Sequence, residues 1–140
     1  MELVKVTCPQ LLDDSFWVLE AGAEALNWRC RDKWFAPRMY ADVLNGIVDL
    51  YLVQVCGDTV GFAMTSVEDG AFMINATYIE PGTKGADIRA MAVEALRTAG
   101  ELGAKEVRLK TLRDKGFLDV LSPLGFETAH VELVAEVPYG

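Results

Sequence analysis

From Asp49 to Cys56 the chain is apolar at nearly every position, the pattern of a central strand buried on both faces. Gly57-Asp58 is predicted to turn it, and Val60–Val67 to return antiparallel. Glu68-Asp69-Gly70 then leads into a third strand over Phe72–Ile79, which Pro81-Gly82 stops. Beyond that stop, Ile88, Met91, Ala92, Ala95, Leu96, Ala99 and Leu102 recur at three- and four-residue steps. This is the apolar stripe of a long helix, ended by Gly100 and Gly103. Another strand is predicted over Glu106–Thr111. Strand, turn, helix and strand at these lengths form a βαβ crossover, so the strands flanking the helix are expected to run parallel.

The flanking segments follow the same rules. Leu3–Thr7 alternates weakly and is predicted as a first strand. Pro9 opens a helix with Leu12, Phe16, Leu19, Ala23 and Leu26 on its buried face and Asp13 and Asp14 in its first turn. A second helix spans about Pro37 to Leu44, closed by Asn45-Gly46. Asp114 caps a short helix carrying Phe117, Val120 and Leu121, which Pro123 and Gly125 end. Phe126–Val137 reads as a last strand or a bent pair of strands. The expectation is one α/β domain over residues 1–140, a mixed sheet of six or seven strands with helices on both faces.

Composition then removes several classes of function. The net charge is −8, which is not the basic footprint of a nucleic-acid binder. No apolar run is long enough to span a membrane and MELVKVTCPQ has no signal-peptide core, so a cytoplasmic protein is expected. Three cysteines without a C-x-x-C pair, and a single histidine (His130, mid-strand), predict no metal site. Cys8 and Cys56 read as small buried hydrophobes. Two basic clusters stand out: Arg29, Arg31, Lys33 and Arg38, then Arg108, Lys110, Arg113 and Lys115. Each is either solvated surface or a contact for an anionic ligand.

Two stretches carry candidate chemistry. The turn after Phe72–Ile79 places Gly82 and Gly85 ahead of a helix N-terminus, an arrangement that attracts a phosphate. Trp28, Trp34 and Phe35 interleave with Arg31, forming either a substrate pocket or partner surface, or a cover for the sheet. Glu80, at the end of a strand, is placed to act as a general base, and Tyr78 shares its face with Ala76 and Glu80.

The order of elements, with Ile79-Glu80-Pro81, the turn Lys84-Gly85-Ala86-Asp87-Ile88-Arg89 and the late Leu124-Gly125-Phe126, resembles the GNAT superfamily of N-acetyltransferases over nearly the whole chain. The resemblance implies acetyl-CoA bound where the fourth and fifth strands splay, its pyrophosphate wrapped by the turn, and direct transfer of acetyl to an amine. It implies Lys84, Gly85, Ala86, Asp87, Ile88, Arg89 and the Ile79 backbone at acetyl-CoA, Glu80 and Tyr78 as catalytic candidates, and Trp28, Arg31, Trp34 and Phe35 beside the acceptor. The family's Q/R-x-x-G-x-G/A turn meets Lys84 at its first position, but Asp87 and Arg89 at its small-residue positions. Leu121 stands where many members carry a proton-donating tyrosine. In these departures the chain is similar to the short, motif-degenerate GNAT-like proteins of tailed phages, which implies a second reading: an inactive virion or host-interaction module. The partners implied are a small-molecule or protein amine, or else a protein partner or a second copy of the chain.

Overall fold

A computed structural model describes residues 1–29, 33–82, 85–110, 114–129 and 135, without the side chains of 28, 29, 85, 86 and 114–117. Five strands form one mixed sheet in chain order: β1 (Glu2–Lys5), β2 (Asp49–Val55), β3 (Asp58–Glu68), β4 (Ala71–Ile79) and β5 (Glu106–Leu109). The first three pairings are antiparallel, and β4 pairs with β5 in parallel. The crossover between them is α4 (Gly85–Glu101), as the βαβ spacing requires. α1 (Pro9–Asp14), α2 (Phe16–Arg29), α3 (Ala36–Leu44) and α5 (Asp114–Leu121) complete the described elements. The described residues thus hold five strands, not six or seven. Residues 126–129 have no regular structure, and His130 and most of the expected final strand lie outside the described residues.

The two hairpins are set by residues in left-handed conformation. Asp69 (φ 51°) and Gly70 (φ 79°) turn β3 into β4. The first hairpin turns at Cys56 (φ 52°) and Gly57 (φ 84°), one residue earlier than Gly57-Asp58, because Asp58 already pairs with Val55. Cys56 is therefore exposed at a turn, and Cys8, just before Pro9, is exposed as well, so neither is a buried hydrophobe.

The first predicted helix is two helices. Ser15 donates both its hydroxyl (2.7 Å) and its N–H (3.1 Å) to the Leu11 carbonyl, closing α1, and the chain turns there. Asp13 and Asp14 consequently close α1 and do not open a helix. The apolar spacing of Leu12, Phe16 and Leu19 runs through this break unaltered.

The sheet is buried on both faces. On one face Leu12, Leu19 and Met39 of α1–α3 pack on Leu50, Leu52, Phe62, Met64, Ala76 and Tyr78. On the other, Ala95 and Ala99 of α4 pack on Tyr51, Ala63, Phe72 and Ile74. Leu96 and Leu102, assigned to the buried stripe by spacing, lie exposed at its edge. Phe72 and Ile74 face α4, while Ala76 and Tyr78, also even-numbered, face α2. A bulge explains the reversal: Met64 pairs with Ala76 and Thr65 with Ile74, which leaves Asn75 as the extra residue.

Candidate functional site

The bulge stands where β4 loses its partner on the β5 side among the described strands, a gap in the described sheet. Pairing between β4 and β5 ends at Ile74 and Leu109, and the Lys110 N–H donates to the Ile74 carbonyl (3.4 Å) at the apex. β4 continues to Ile79 paired with β3 alone among the described strands. The Glu80 N–H donates to the Val60 carbonyl on β3 (2.8 Å). By strand alternation the N–H groups of Thr77 and Ile79 turn the opposite way, toward the gap. Two backbone donors therefore face the side of β4 on which no described strand pairs, at the carboxyl end of a parallel strand pair.

α4 begins just past the end of β4, so its N-terminus, with its partial positive charge, belongs to the same end of the sheet. Asp87 is half-buried in its first turn, Ile88 is half-buried, and Arg89 is exposed. Gly85 and Ala86 are the first two helical residues. Lys84 lies outside the described residues.

On the α2 side, Tyr78 is buried with its ring 6.1 Å from that of Phe62. Glu80, the next residue on that face, is exposed at the strand end. Tyr78 and Glu80 thus lie on one face but in different surroundings. Leu121 is buried beneath the sheet's other face and, with Phe126, lines a cavity there.

The aromatic stretch divides differently from the expectation that it covers the sheet. Trp34 packs half-buried against the α1–α3 core. Phe35 is 63% exposed, and Trp17, on α2, is 49% exposed. The Trp28 side chain and Arg31 lie outside the described residues. Asn27 anchors the segment: its Nδ2 donates to the Trp34 carbonyl (2.8 Å), and the Trp34 N–H donates to its Oδ1 (2.5 Å). Asn27→Ala removes both bonds and should lower stability by about 1–2 kcal/mol, read as a drop in urea midpoint without a change in slope.

Further along the helices, Asp13, Phe16, Pro37 and Tyr40 form an open groove. The Tyr40 hydroxyl donates to Asp13 Oδ1 (2.5 Å), and its ring meets Phe16 edge-on at 5.9 Å. The hydrogen bond to Asp13, then desolvation and the Asp13 charge, hold the Tyr40 phenol above its usual 10.0. A raised folded value means a contribution fully present below pH 10.0 and lost as pH rises through the raised value. Asp13→Asn should bring the Tyr40 transition down toward its ordinary value in an ultraviolet absorbance titration.

No protein-family model matches the chain, and no curated protein sequence does. Solved structures do. A probable acetyltransferase superposes with a TM-score of 0.69 at 14% identity, covering 99% of this chain and 97% of its own. The ribosomal-protein-alanine N-acetyltransferase from Brucella melitensis biovar Abortus 2308 gives 0.66 at 13% identity, covering 98% and 100%. The aminoglycoside N-acetyltransferase AAC(6')-Iy, in complex with CoA, gives 0.64 at 13% identity, covering 97% and 98%. The chain has the GNAT fold. At these identities the likeness is one of fold. The bulge and the inward amide of Thr77 were missed in the sequence, where no turn residue marks Asn75. Among the described residues no helix is long and apolar enough to cross a membrane.

Proposed function

We propose that the chain binds acetyl-CoA in the gap between β4 and β5 and transfers acetyl to an amine. The observation that carries this is the pair of β4 amides, Thr77 and Ile79, turned into a gap beside the N-terminus of α4. Those donors suit a thioester carbonyl, and the helix end suits a diphosphate. Asp87 counts the other way, since its carboxylate already complements that helix end.

Acetyl-CoA when bound supplies an activated acyl carbon. The Ile79 amide holds the carbonyl oxygen as negative charge develops on it, and Lys84, Gly85 and Ala86, with the following turn of α4, hold the phosphates. Glu80 takes the proton from the incoming ammonium, directly or through water. The neutral amine attacks the carbonyl carbon, the carbon–sulfur bond breaks, and the proton shed by the attacking nitrogen passes through water to the leaving thiolate, because Leu121 has none to give. The products are the N-acetyl amine and CoA.

The acceptor is an amine of a small molecule or a protein, reached from the side of Tyr78, Trp34 and Phe35. Solved structures with this fold include enzymes for both kinds, aminoglycosides and a ribosomal-protein alanine. Thiol release from acetyl-CoA, assayed across a panel of aminoglycosides, polyamines and N-terminal peptides, tests the reading. Turnover above the amine-free rate supports it, and none with any amine contradicts it.

A second reading has its own observation. Asp87, Arg89 and the buried Leu121 together remove features an acetyltransferase uses, while Phe35 and Trp17 stand exposed. On this reading the chain is a non-catalytic module, of the virion or host-interaction kind, whose exposed aromatics meet a protein.

A further inference from the structure

The α4 side of the sheet holds a cavity whose position fits the donor. Its lining includes Ala63, Ile74, Thr77, Ala92, Ala95 and Leu121. Ile74, with its neighbour Leu109 across the strands, marks the last paired position before the gap, and the Thr77 amide turns into that gap, so one end of the cavity reaches the apex while Leu3, Tyr51 and Phe72 carry it back under the middle of the sheet. The room inside is about 20 Å³, enough for one water or one to two methylene groups.

Two features decide between those occupants. The accessible wall is apolar, so a water there would lack the two to four polar partners it needs. Thr65 and Thr77 belong to the lining, but their hydroxyls are sealed from solvent and have no partner among the described residues. The wall also holds three alanines, Ala63, Ala92 and Ala95, where larger core residues would close the space. A dry, apolar space of this size suits hydrocarbon.

We propose that this cavity receives the end of the donor's acyl group, and that the preferred donor carries an acyl chain of three or four carbons. The inference rests on the acyl-CoA reading above and deepens it. Acetyl ends before the cavity, propionyl puts one methylene into it and butyryl two, whereas a hexanoyl chain overruns it. Ala92 and Leu121 are part of its wall.

The test is calorimetric titration of the intact protein with CoA and with acetyl-, propionyl-, butyryl- and hexanoyl-CoA. Each methylene that enters should tighten binding about four-fold, up to butyryl, with no gain at hexanoyl. Ala92→Val adds two carbons, fills the space and should shift the preference to acetyl-CoA, with the affinity for free CoA unchanged. Leu121→Ala enlarges it and should move the optimum to a longer chain. The two variants act in opposite directions, so a general loss of folding cannot mimic both, and free CoA reports the state of each. If CoA binds while all chain lengths bind alike, the inference is overturned and the acyl-CoA reading stands. If neither CoA nor any thioester binds, both are overturned.

Discussion

Gly61→Ala is expected to lower the melting temperature by about 10 °C, roughly 3 kcal/mol for a domain of this size. Gly61 lies on β3 opposite Ile79. A methyl group there would sit 2.0 Å from the Tyr78 carbonyl oxygen and 3.0 Å from the Ile79 Cα. Both are backbone atoms, so no side chain can swing aside, and the end of β4 must move. Alanine also restricts the unfolded chain, but that gain of about 0.4–1 kcal/mol is the smaller effect. A neighbouring glycine meets a softer obstacle. At Gly22 the added methyl would fall 2.2 Å from a ring carbon of Phe62, a fully buried side chain. The two glycines let β3 and α2 close around the end of β4. Because Gly61→Ala displaces the segment carrying the Ile79 amide, it should weaken acyl-CoA binding as well as stability. Thermal denaturation with and without CoA separates the two: an unchanged melting temperature would show that the approach of β3 to Tyr78 is looser than the structure has it.

Glu80→Gln is expected to lower kcat at pH 7 about a hundred-fold, the usual contribution of a positioned base. The change keeps the size of the side chain and falls on an exposed residue, where a surface pair is worth at most about 1 kcal/mol, so the melting temperature should fall by no more than about 3 °C. Affinity for acetyl-CoA should be unaffected, since the carboxylate acts on the amine. The loss should shrink as pH rises, because at high pH the amine arrives already neutral. A variant whose pH profile runs parallel to that of the parent would place the base elsewhere.

Much of this architecture was legible because each signal is local. Asp69-Gly70 sits at left-handed positions that favour these residues, the α4 stripe repeats at helical spacing, and the strand–helix–strand length compels a parallel pair. The rest depended on pairing across the fold. Cys56 occupies a left-handed turn position that its residue type does not announce, and only the Val55–Asp58 register places it there. The break at Ser15 leaves the apolar spacing of Leu12, Phe16 and Leu19 undisturbed, so periodicity passes over it. The bulge at Asn75 matters most for the site, since it turns Ala76 and Tyr78 away from the face of Phe72 and Ile74 and sends the amides of Thr77 and Ile79 into the gap. A strand's own sequence carries no mark of it. Among the candidate residues, Glu80 and the first turn of α4 could be placed from the sequence because they end and begin elements. Trp34 and Phe35 could not be told apart, since one packs on the core and the other stands in solvent only after α3 has been laid against α2.

The central claim is that the gap between β4 and β5 still binds CoA with Asp87 and Arg89 in the turn. Isothermal titration of the purified protein with acetyl-CoA and with CoA at low salt tests it most directly. Saturable binding at micromolar concentration, tightened when Asp87 and Arg89 are both changed to glycine, is the expected result. No heat of binding up to millimolar concentration would contradict the claim, and the exposed Phe35 and Trp17 would then be the surface to pursue.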